Sequence, residues 1–349
     1  MKKLIKKSIY VLYLIIATFV LLEIGIRIWG YSEVYIYDPI YIPFSATEDI
    51  PFIHKPNLVN ARARGGSVLS TDGLGLRSTR NNLSYPVVSE QEYRIAVCGN
   101  SVTFGQGIQN TNDTFCNVLE DILNQRQSYR KVKVFNYGVS AYSVKEMFAT
   151  LQHRIFEIEP DLIFMAMIQA DLDTNRTPGV DKWGYTDNQK QSGIMSKDSY
   201  IKRLLRNVRL IYLLRNLRNH SVNQNIEQSD YSLFDSYKYI SQFKTVAKAA
   251  DLPYAIILLP SHHNTRMEDL IHKLNQDEII YLDLTYLYDE FTVEEFKASK
   301  FDWHPSVIVH RRIGELLARY ILQEKQIKSP SEYKQFMSST VLGAEISRD

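Results

Sequence analysis

Hydrophobic positions are distributed unevenly along this chain, and the densest run lies near its start. Residues 8–28 are almost wholly apolar, with Glu23 and Arg27 near the far end, and a basic stretch, residues 1–7, precedes them. A run of this length is about that of a membrane-spanning helix. The lysines before the run, and the few basic residues just after it, predict a cytoplasmic N-terminus and an extracytoplasmic main domain.

Residues 1–30 are therefore interpreted as a single-pass membrane anchor, with the membrane as a partner through residues 8–28. A cleaved signal peptide is the alternative interpretation. Against it, the apolar run is long, and no clear Ala-x-Ala cleavage site follows.

From residue 91 onward, short apolar runs alternate with longer segments of helical character. That alternation is typical of strands and helices that build a parallel sheet covered on both faces. We predict strands at 94–98, 133–136, 162–168, 254–259 and 279–283, and helices at 112–124, 144–158, 230–250, 267–276, 291–299 and 306–323. The predicted fold class is α/β, a three-layer α/β/α sandwich with a mainly parallel sheet, over residues 91–325.

The other segments are interpreted around this domain. Residues 31–90 are expected to form an extended connector and a small β extension, because Gly65-Gly66 and Asp72-Gly73 are turn signals between short strands. Within the domain, residues 173–225 hold a polar loop (177–196), a candidate lid, and a basic amphipathic helix (200–217). That helix either lies on a membrane surface or presents a solvated face. Residues 326–349 form a polar tail.

Composition narrows the possible partners. The chain has 349 residues and a net charge of +2, so nothing suggests a nucleic-acid partner. Cys98 and Cys116 are the only cysteines; they are either bridged or two buried thiols, and they cannot build a metal cluster. His262 and His263 follow a predicted strand and could line a cleft, but no carboxylate stands at metal-ligand spacing. We expect neither a metal nor a cofactor.

Two short stretches carry the candidate chemistry. At the end of the first predicted strand the chain runs Gly99-Asn100-Ser101-Val102-Thr103-Phe104-Gly105, which places Ser101 where open α/β sheets hold their ligands. Near the far end it runs Asp302-Trp303-His304-Pro305 before a strongly helical segment. A serine that a histidine can deprotonate, with an aspartate to orient the histidine, is an arrangement for acyl transfer.

These two stretches resemble the SGNH (GDSL-type) hydrolases. The first block of that family reads roughly Gly-Asp-Ser-x-Thr-x-Gly, and the last reads Asp-x-x-His-Pro. The resemblance covers about residues 90–325. It implies a flavodoxin-like sandwich in which Ser101 is the nucleophile, His304 the general base and Asp302 its orienting carboxylate.

The resemblance also shows where this chain departs from the family. The family aspartate lies three residues before the histidine, a position held here by Phe301; Asp302 is only two before, and Asp283 is the reserve candidate. The implied oxyanion hole uses the amide of Ser101, the amide of Ala141 where the family has glycine, and the position of Ala170. The family has an asparagine at that last position, so its donor is missing here.

Further residues are assigned around the site. Asn100, Gln169 and Asp171 are predicted to bind substrate, although Gln169 would point to the opposite face if its strand continued through it. Asn100 could instead cap the turn or bond near Asp171. Arg77, in the β extension, either touches a substrate anion or forms a structural salt bridge.

The resulting expectation is an extracytoplasmic, membrane-anchored esterase or O-acyltransferase that forms an acyl-Ser101 intermediate. Its substrate would be an ester, such as an O-acetyl group, on a cell-surface glycan or a lipid-linked molecule. The alternative is a catalytically degenerate module that binds or organises surface polysaccharide, as Ala141, Ala170 and the displaced aspartate suggest. A third alternative is a membrane-proximal scaffold that works through the basic helix.

Overall fold

The apolar N-terminal run forms one long helix, α1 (Lys2–Trp29). Its stretch Ile5–Trp29 is long and apolar enough to cross a membrane, a property that signal sequences near an N-terminus share. This computed structural model describes residues 2–31, 36–79, 91–126, 130–176, 178–188, 200, 205–214, 233–261 and 267–323. The predicted tail, His262, His263 and part of the 177–196 loop lie outside the described residues.

The buried apolar runs pair into a parallel sheet because each is long enough for one strand and is followed by a helix that returns the chain. The five strands lie in the order β11–β10–β7–β5–β6, all parallel. Their bounds are β5 (Glu92–Gly99), β6 (Lys131–Gly138), β7 (Leu162–Met167), β10 (Tyr254–Leu258) and β11 (Tyr281–Asp283). The first strand of the sheet, β5, is an interior one: β6 is added on one side of it, and β7, β10 and β11 follow on the other. Such a switch in the order of strands opens a crevice at the carboxyl ends of β5 and β7.

Helices cover both faces of the sheet, which confirms the predicted three-layer α/β fold. The main helices are α3 (Phe115–Arg126), α4 (Val144–His153), α5 (Leu233–Ala249), α6 (Glu268–Gln276) and α9 (Val307–Gln323). Alternate residues of β5 enter the two cores: Ile95 and Val97 pack with α3 and α9, whereas Ala96 and Cys98 pack with α4, α5 and α6. Cys116 belongs to the first core and Cys98 to the second, and both are free thiols.

The segment before the domain is a set of short antiparallel strands that packs on the nucleophile end of the sheet. It contains β1 (Tyr41–Ile42), β2 (Ile53–His54), β3 (Ala61–Arg62) and β4 (Val68–Leu69). Its apolar residues form a third core with Phe104 and Tyr142 of the α/β domain. The extension is thus part of the hydrophobic structure around the site.

The inserted segment is described in part. Strands β8 (Pro178–Val180) and β9 (Thr186–Asn188) form a small antiparallel hairpin within the predicted lid loop. Residues 209–214, within the predicted basic helix, are helical.

Three predicted helices differ clearly from the structure. The helix expected at 112–124 is preceded by a 3₁₀ turn, Thr111–Asp113, and the one expected at 144–158 breaks into a 3₁₀ turn after Arg154. The segment 291–299 is helical only in α8 (Val293–Phe296), after a short α7 (Leu287–Glu290). It continues as β12 (Lys297–Ser299), which pairs with β13 (Asp302–Pro305). Pro305 is the last residue of β13, and α9 begins two residues later at Val307.

Candidate active site

The Ser101 turn is formed by a strand that ends against two neighbouring strands. Asn100 is extended and caps the four-residue helix α2 (Ser101–Phe104): its Oδ1 accepts from the Val102 amide at 2.8 Å. A Cβ at Gly99 would lie 2.0 Å from Thr103 Oγ1, and one at Gly138 would lie 2.2 Å from the Phe104 amide nitrogen. Only glycine fits at either position, so the turn presents Ser101 at a fixed place.

Asn100 is held from behind by Asp171. Its Nδ2 donates to Asp171 Oδ2 at 2.5 Å, and the same oxygen accepts from the Ile168 amide at 2.9 Å. Arg176 contacts the other oxygen at 3.5 Å. Asn100 and Asp171 are both buried, which leaves little of either side chain for the substrate contact predicted from the sequence. Burial, opposed by Arg176, raises the pKa of Asp171 to about 7.

Ser101, His304 and Asp302 form one chain of hydrogen bonds. His304 Nε2 lies 2.9 Å from Ser101 Oγ, and His304 Nδ1 lies 2.5 Å from Asp302 Oδ1. Because a carboxylate only accepts hydrogen bonds, Nδ1 carries the proton and Nε2 is left to accept the serine proton. The His304 side chain is 26% exposed and that of Asp302 is 5% exposed, so the imidazole alone of the two is open to solvent.

The two-residue spacing of Asp302 and His304 works because they lie on a strand. Side chains two apart on β13 project from the same face, and the exposed Trp303 projects from the other. The reserve candidate Asp283 instead accepts hydrogen bonds from the Thr285 amide at 2.9 Å and hydroxyl at 2.6 Å.

Two glycines make room for the Asp302 carboxylate. A Cβ at Gly65 would lie 2.3 Å from Asp302 Oδ2, and one at Gly107 would lie 3.1 Å from the same atom. Gly65 belongs to the β extension, and Gly107 follows the Ser101 turn. The niche for the aspartate is therefore assembled from three distant parts of the chain.

Gln106 is a site residue that sequence reasoning missed. Its Nε2 lies 3.3 Å from His304 Nδ1, and its Oε1 accepts from Ser140 Oγ at 3.2 Å. Since Nδ1 donates to Asp302, the first is a contact between two N–H groups, and the hydrogen bond of Gln106 is to the segment that carries Ala141. Its position next to Gly105 in the first block was the signal that could have pointed to it.

The structure describes the residues expected at the oxyanion hole. Ala141 has a φ of 75°, in the left-handed region that glycine adopts freely and alanine adopts at a cost of about 1 kcal/mol. Ala170 is exposed in the 3₁₀ turn Gln169–Leu172, and its carbonyl accepts from Arg176. The strand ends at Met167, so Gln169 lies in this turn rather than on an extended face.

Among the described residues, backbone carbonyls and one hydroxyl surround the Arg77 guanidinium. Arg77 is buried, and its guanidinium donates to the carbonyls of Gly105 and Ile108, both at 2.6 Å, and of Phe104 at 3.0 Å. Among the described residues, its other hydrogen bonds are to the Val68 carbonyl and the Thr111 hydroxyl. Burial lowers its pKa to about 10. Within the described part of the chain Arg77 thus has no carboxylate partner, and it holds the Phe104 and Gly105 carbonyls that end α2.

Within the described part of the chain, no group of three or more His, Cys, Asp or Glu side chains is placed to hold a metal ion. A hydroxyl that donates to a neutral imidazole, itself held by a carboxylate, can attack an electrophilic carbonyl and pass its proton to the ring.

No protein-family model matches the chain, and no curated protein does. Solved structures are similar to it at low identity. One is a lipolytic protein of the G-D-S-L family from Desulfitobacterium hafniense DCB-2, with 15% identity, 65% of this chain and 98% of that chain covered, and a TM-score of 0.41. Another is a two-domain esterase active on acetylated mannans, with 8% identity, 74% and 54% covered, and a TM-score of 0.43. A lipase/acylhydrolase from Enterococcus faecalis has 12% identity, 68% and 99% covered, and a TM-score of 0.39. Similarities at such low identity do not assign an activity to this chain.

Asp171→Asn should change how stability depends on pH. The raised pKa means that the unfolded chain releases this proton first, so the contribution of Asp171 to stability falls from about pH 4 to about pH 7 and is flat above. Asparagine keeps an acceptor for Asn100 and Ile168 but has no proton to lose. We expect the variant to gain stability relative to the parent across that range, by up to about 4 kcal/mol. Urea unfolding across pH measures this difference.

The exposed Asp49→Asn variant is the matched control and should run parallel to the parent chain. If the stability of Asp171→Asn instead depends on pH as that of the parent does, the pKa of Asp171 is not raised in the folded protein.

Arg77→Lys should destabilise the protein by about 3–5 kcal/mol, because one ammonium cannot serve the carbonyls that the guanidinium fork reaches. Thermal or urea unfolding of the two proteins measures the loss. Arg62→Lys, at a half-exposed arginine paired with Asp38, is the control and should cost less than about 1 kcal/mol. Equal losses in the two variants would contradict the role assigned to Arg77.

Proposed function

We propose that this protein is a serine esterase or O-acyltransferase that works through an acyl-Ser101 intermediate. The observation that carries the proposal is the hydrogen-bond chain from Ser101 Oγ to His304 Nε2, and from His304 Nδ1 to Asp302, at the carboxyl edge of the sheet. That edge is where α/β sheets hold their ligands.

The reaction would proceed in two halves. Ser101 Oγ attacks the ester carbonyl while His304 Nε2 takes its proton, and Asp302 stabilises the imidazolium that forms. His304 then returns the proton to the departing alcohol, which leaves an acyl-serine. Water or a second alcohol, deprotonated by the same imidazole, attacks the acyl group; water gives hydrolysis and an alcohol gives acyl transfer.

The oxyanion that forms in each half would be met by the amides of Ser101 and Ala141. The left-handed φ of Ala141 supports that assignment, since it gives alanine the conformation open to the family's glycine. At Ala170 the side-chain donor is absent, and the loss of one such donor typically costs on the order of 10²–10³ in rate. We therefore expect a slow enzyme.

The proposed location is outside the cytoplasm, with α1 as a single-pass anchor. The apolar length of α1 and the lysines before it support this topology. The proposed substrate is an ester, such as an O-acetyl group, on a cell-surface glycan or a lipid-linked molecule, since those are the esters within reach of such an anchor.

The second candidate is a non-catalytic module that binds surface polysaccharide. The specific observation in its favour is Ala170, whose methyl group cannot stabilise an oxyanion. The two candidates differ in one consequence: Ser101→Ala abolishes the cellular role of an enzyme but leaves that of a binding module.

A fluorophosphonate probe tests the proposal without knowledge of the substrate. The parent protein should be labelled, Ser101→Ala should not be, and Asp302→Asn should be labelled on the order of 10³–10⁴ more slowly because the imidazole would no longer be held as the right tautomer. His304→Ala should lose labelling, whereas His153→Ala, at an exposed histidine, should keep the parent's rate. Folded parent protein that resists the probe would favour the binding module.

A further inference from the structure

The outer end of α1 is built into the domain. On α1, Glu23 and Ile26 lie on one helix face and are covered, as is Gly30 just after the helix. The described residues from Ile5 to Leu22 are exposed apart from a partly covered Ala17. The Glu23 carboxylate accepts hydrogen bonds from the amides of Arg209 and Leu210, each at 3.0 Å. Most of the apolar part of α1 therefore makes no contact with the domain, and only its last two turns pack against it.

The second contact of α1 is with the hairpin that carries Asp302 and His304. Trp29 stacks on Tyr31 with ring centroids 5.1 Å apart, and both rings meet Phe301 edge-on, at 5.3 Å and 5.0 Å. The Lys300 amine lies over Trp29 and Phe301 at 5.8 Å and 5.3 Å. Phe301 directly precedes Asp302, so the end of the anchor touches the strand that holds the catalytic pair.

The outward side of this hairpin is apolar and basic. Trp303 is 44% exposed with the Lys297 amine over its ring at 4.8 Å, and Ile308, in the first turn of α9, is 55% exposed. Tryptophan at the headgroup level with lysine beside it is the composition of membrane interfaces. We name Trp29, Lys300, Phe301, Trp303 and Ile308 the hairpin patch.

The position of the patch along α1 sets its height above a bilayer. If residues 5–22 fill the hydrocarbon layer, they span about 27 Å, and Trp29 lies about 9 Å beyond Glu23. The headgroup region extends roughly 5–8 Å beyond the hydrocarbon on each side. The Trp29 Cα then lies about 10 Å beyond the hydrocarbon, just outside the headgroup region, and its side chain leans back toward the helix N-terminus and so toward the headgroups. His304 is three residues from Phe301, within about 10 Å along the strand.

We propose that the hairpin patch rests on the headgroup layer of the bilayer that α1 crosses, and that the Ser101 site takes its ester from a lipid-borne molecule in that layer. The substrate half of this inference rests on the proposed acyl-serine chemistry, and the seating half rests only on the proposed α1 anchor. Because Phe301 and Trp303 face away from the ring of His304, the membrane contact and the chemistry use opposite faces of β13.

Tryptophan quenching tests the seating. The full chain with Trp29→Phe and Trp183→Phe keeps Trp303 as its only tryptophan. It is reconstituted in phosphatidylcholine–phosphatidylglycerol vesicles that contain lipid brominated high on its acyl chains. The control is Phe156→Trp in a chain with all three native tryptophans replaced by phenylalanine. Phe156 is 37% exposed and lies before β7, at the amino edge of the sheet.

We expect Trp303 to lose fluorescence to the brominated lipid and the tryptophan at position 156 to keep it. Equal quenching of the two tryptophans by the brominated lipid would overturn the seating. So would a Trp303 that the lipid does not quench because a bound protein covers it. If the tryptophan variants fold poorly, a nitroxide on Ile308→Cys in the otherwise native chain gives the same information. Cys98 and Cys116 are buried, and burial raises the pKa of both thiols, so the new cysteine is labelled selectively.

Activity tests the substrate half. Lys300→Glu should slow turnover of an ester carried on a vesicle lipid about fivefold, through loss of attraction to anionic headgroups, and should leave a water-soluble ester unaffected. Lys248→Glu, at an exposed lysine in the last turn of α5, should change neither rate. Equal slowing on both esters would overturn the lipid-borne substrate. Quenched Trp303 with no turnover by any variant would leave the seating in place and refute the proposed function.

Discussion

An aspartate and a histidine two residues apart can share one face only when the backbone between them is extended. That constraint governs the far end of this chain. Asp302 and His304 meet because β13 is a strand, and β13 is a strand because β12 supplies its hydrogen-bond partner. In a helix the same two side chains would project about 200° apart, since successive residues turn by about 100°.

The same constraint explains what the sequence could and could not predict. The strands β5, β7 and β10 were predictable from the length and apolarity of their sequences. The Ser101 turn was predictable from the glycines around it. The extended last block was not predictable from local preference, because 291–299 has helical character and only Val293–Phe296 keeps it. The partner that overrode it, β13, lies in residues 300–305, to which the sequence assigned neither a helix nor a strand.

Tertiary contacts decided the remaining assignments. Arg77 was assigned to a substrate anion or a salt bridge because a guanidinium usually pairs with an anion, but the carbonyls that end α2 have few partners of their own and lie next to it. Gln106 had only its place beside Gly105 to indicate it. In both cases the deciding contact joins segments that only the fold brings together, and the β extension supplies one side of the Arg77 contacts and of the Asp302 niche.

The hydrogen bond between His304 and Ser101 joins residues 203 positions apart, and this separation has a consequence for the order in which the protein matures. A ribosome that has produced the chain through Asp283 has supplied every strand of the parallel sheet, but His304 comes about twenty residues later. The Ser101–His304 pair can therefore form only after nearly all of the described chain has been made, later than the strand that presents the serine.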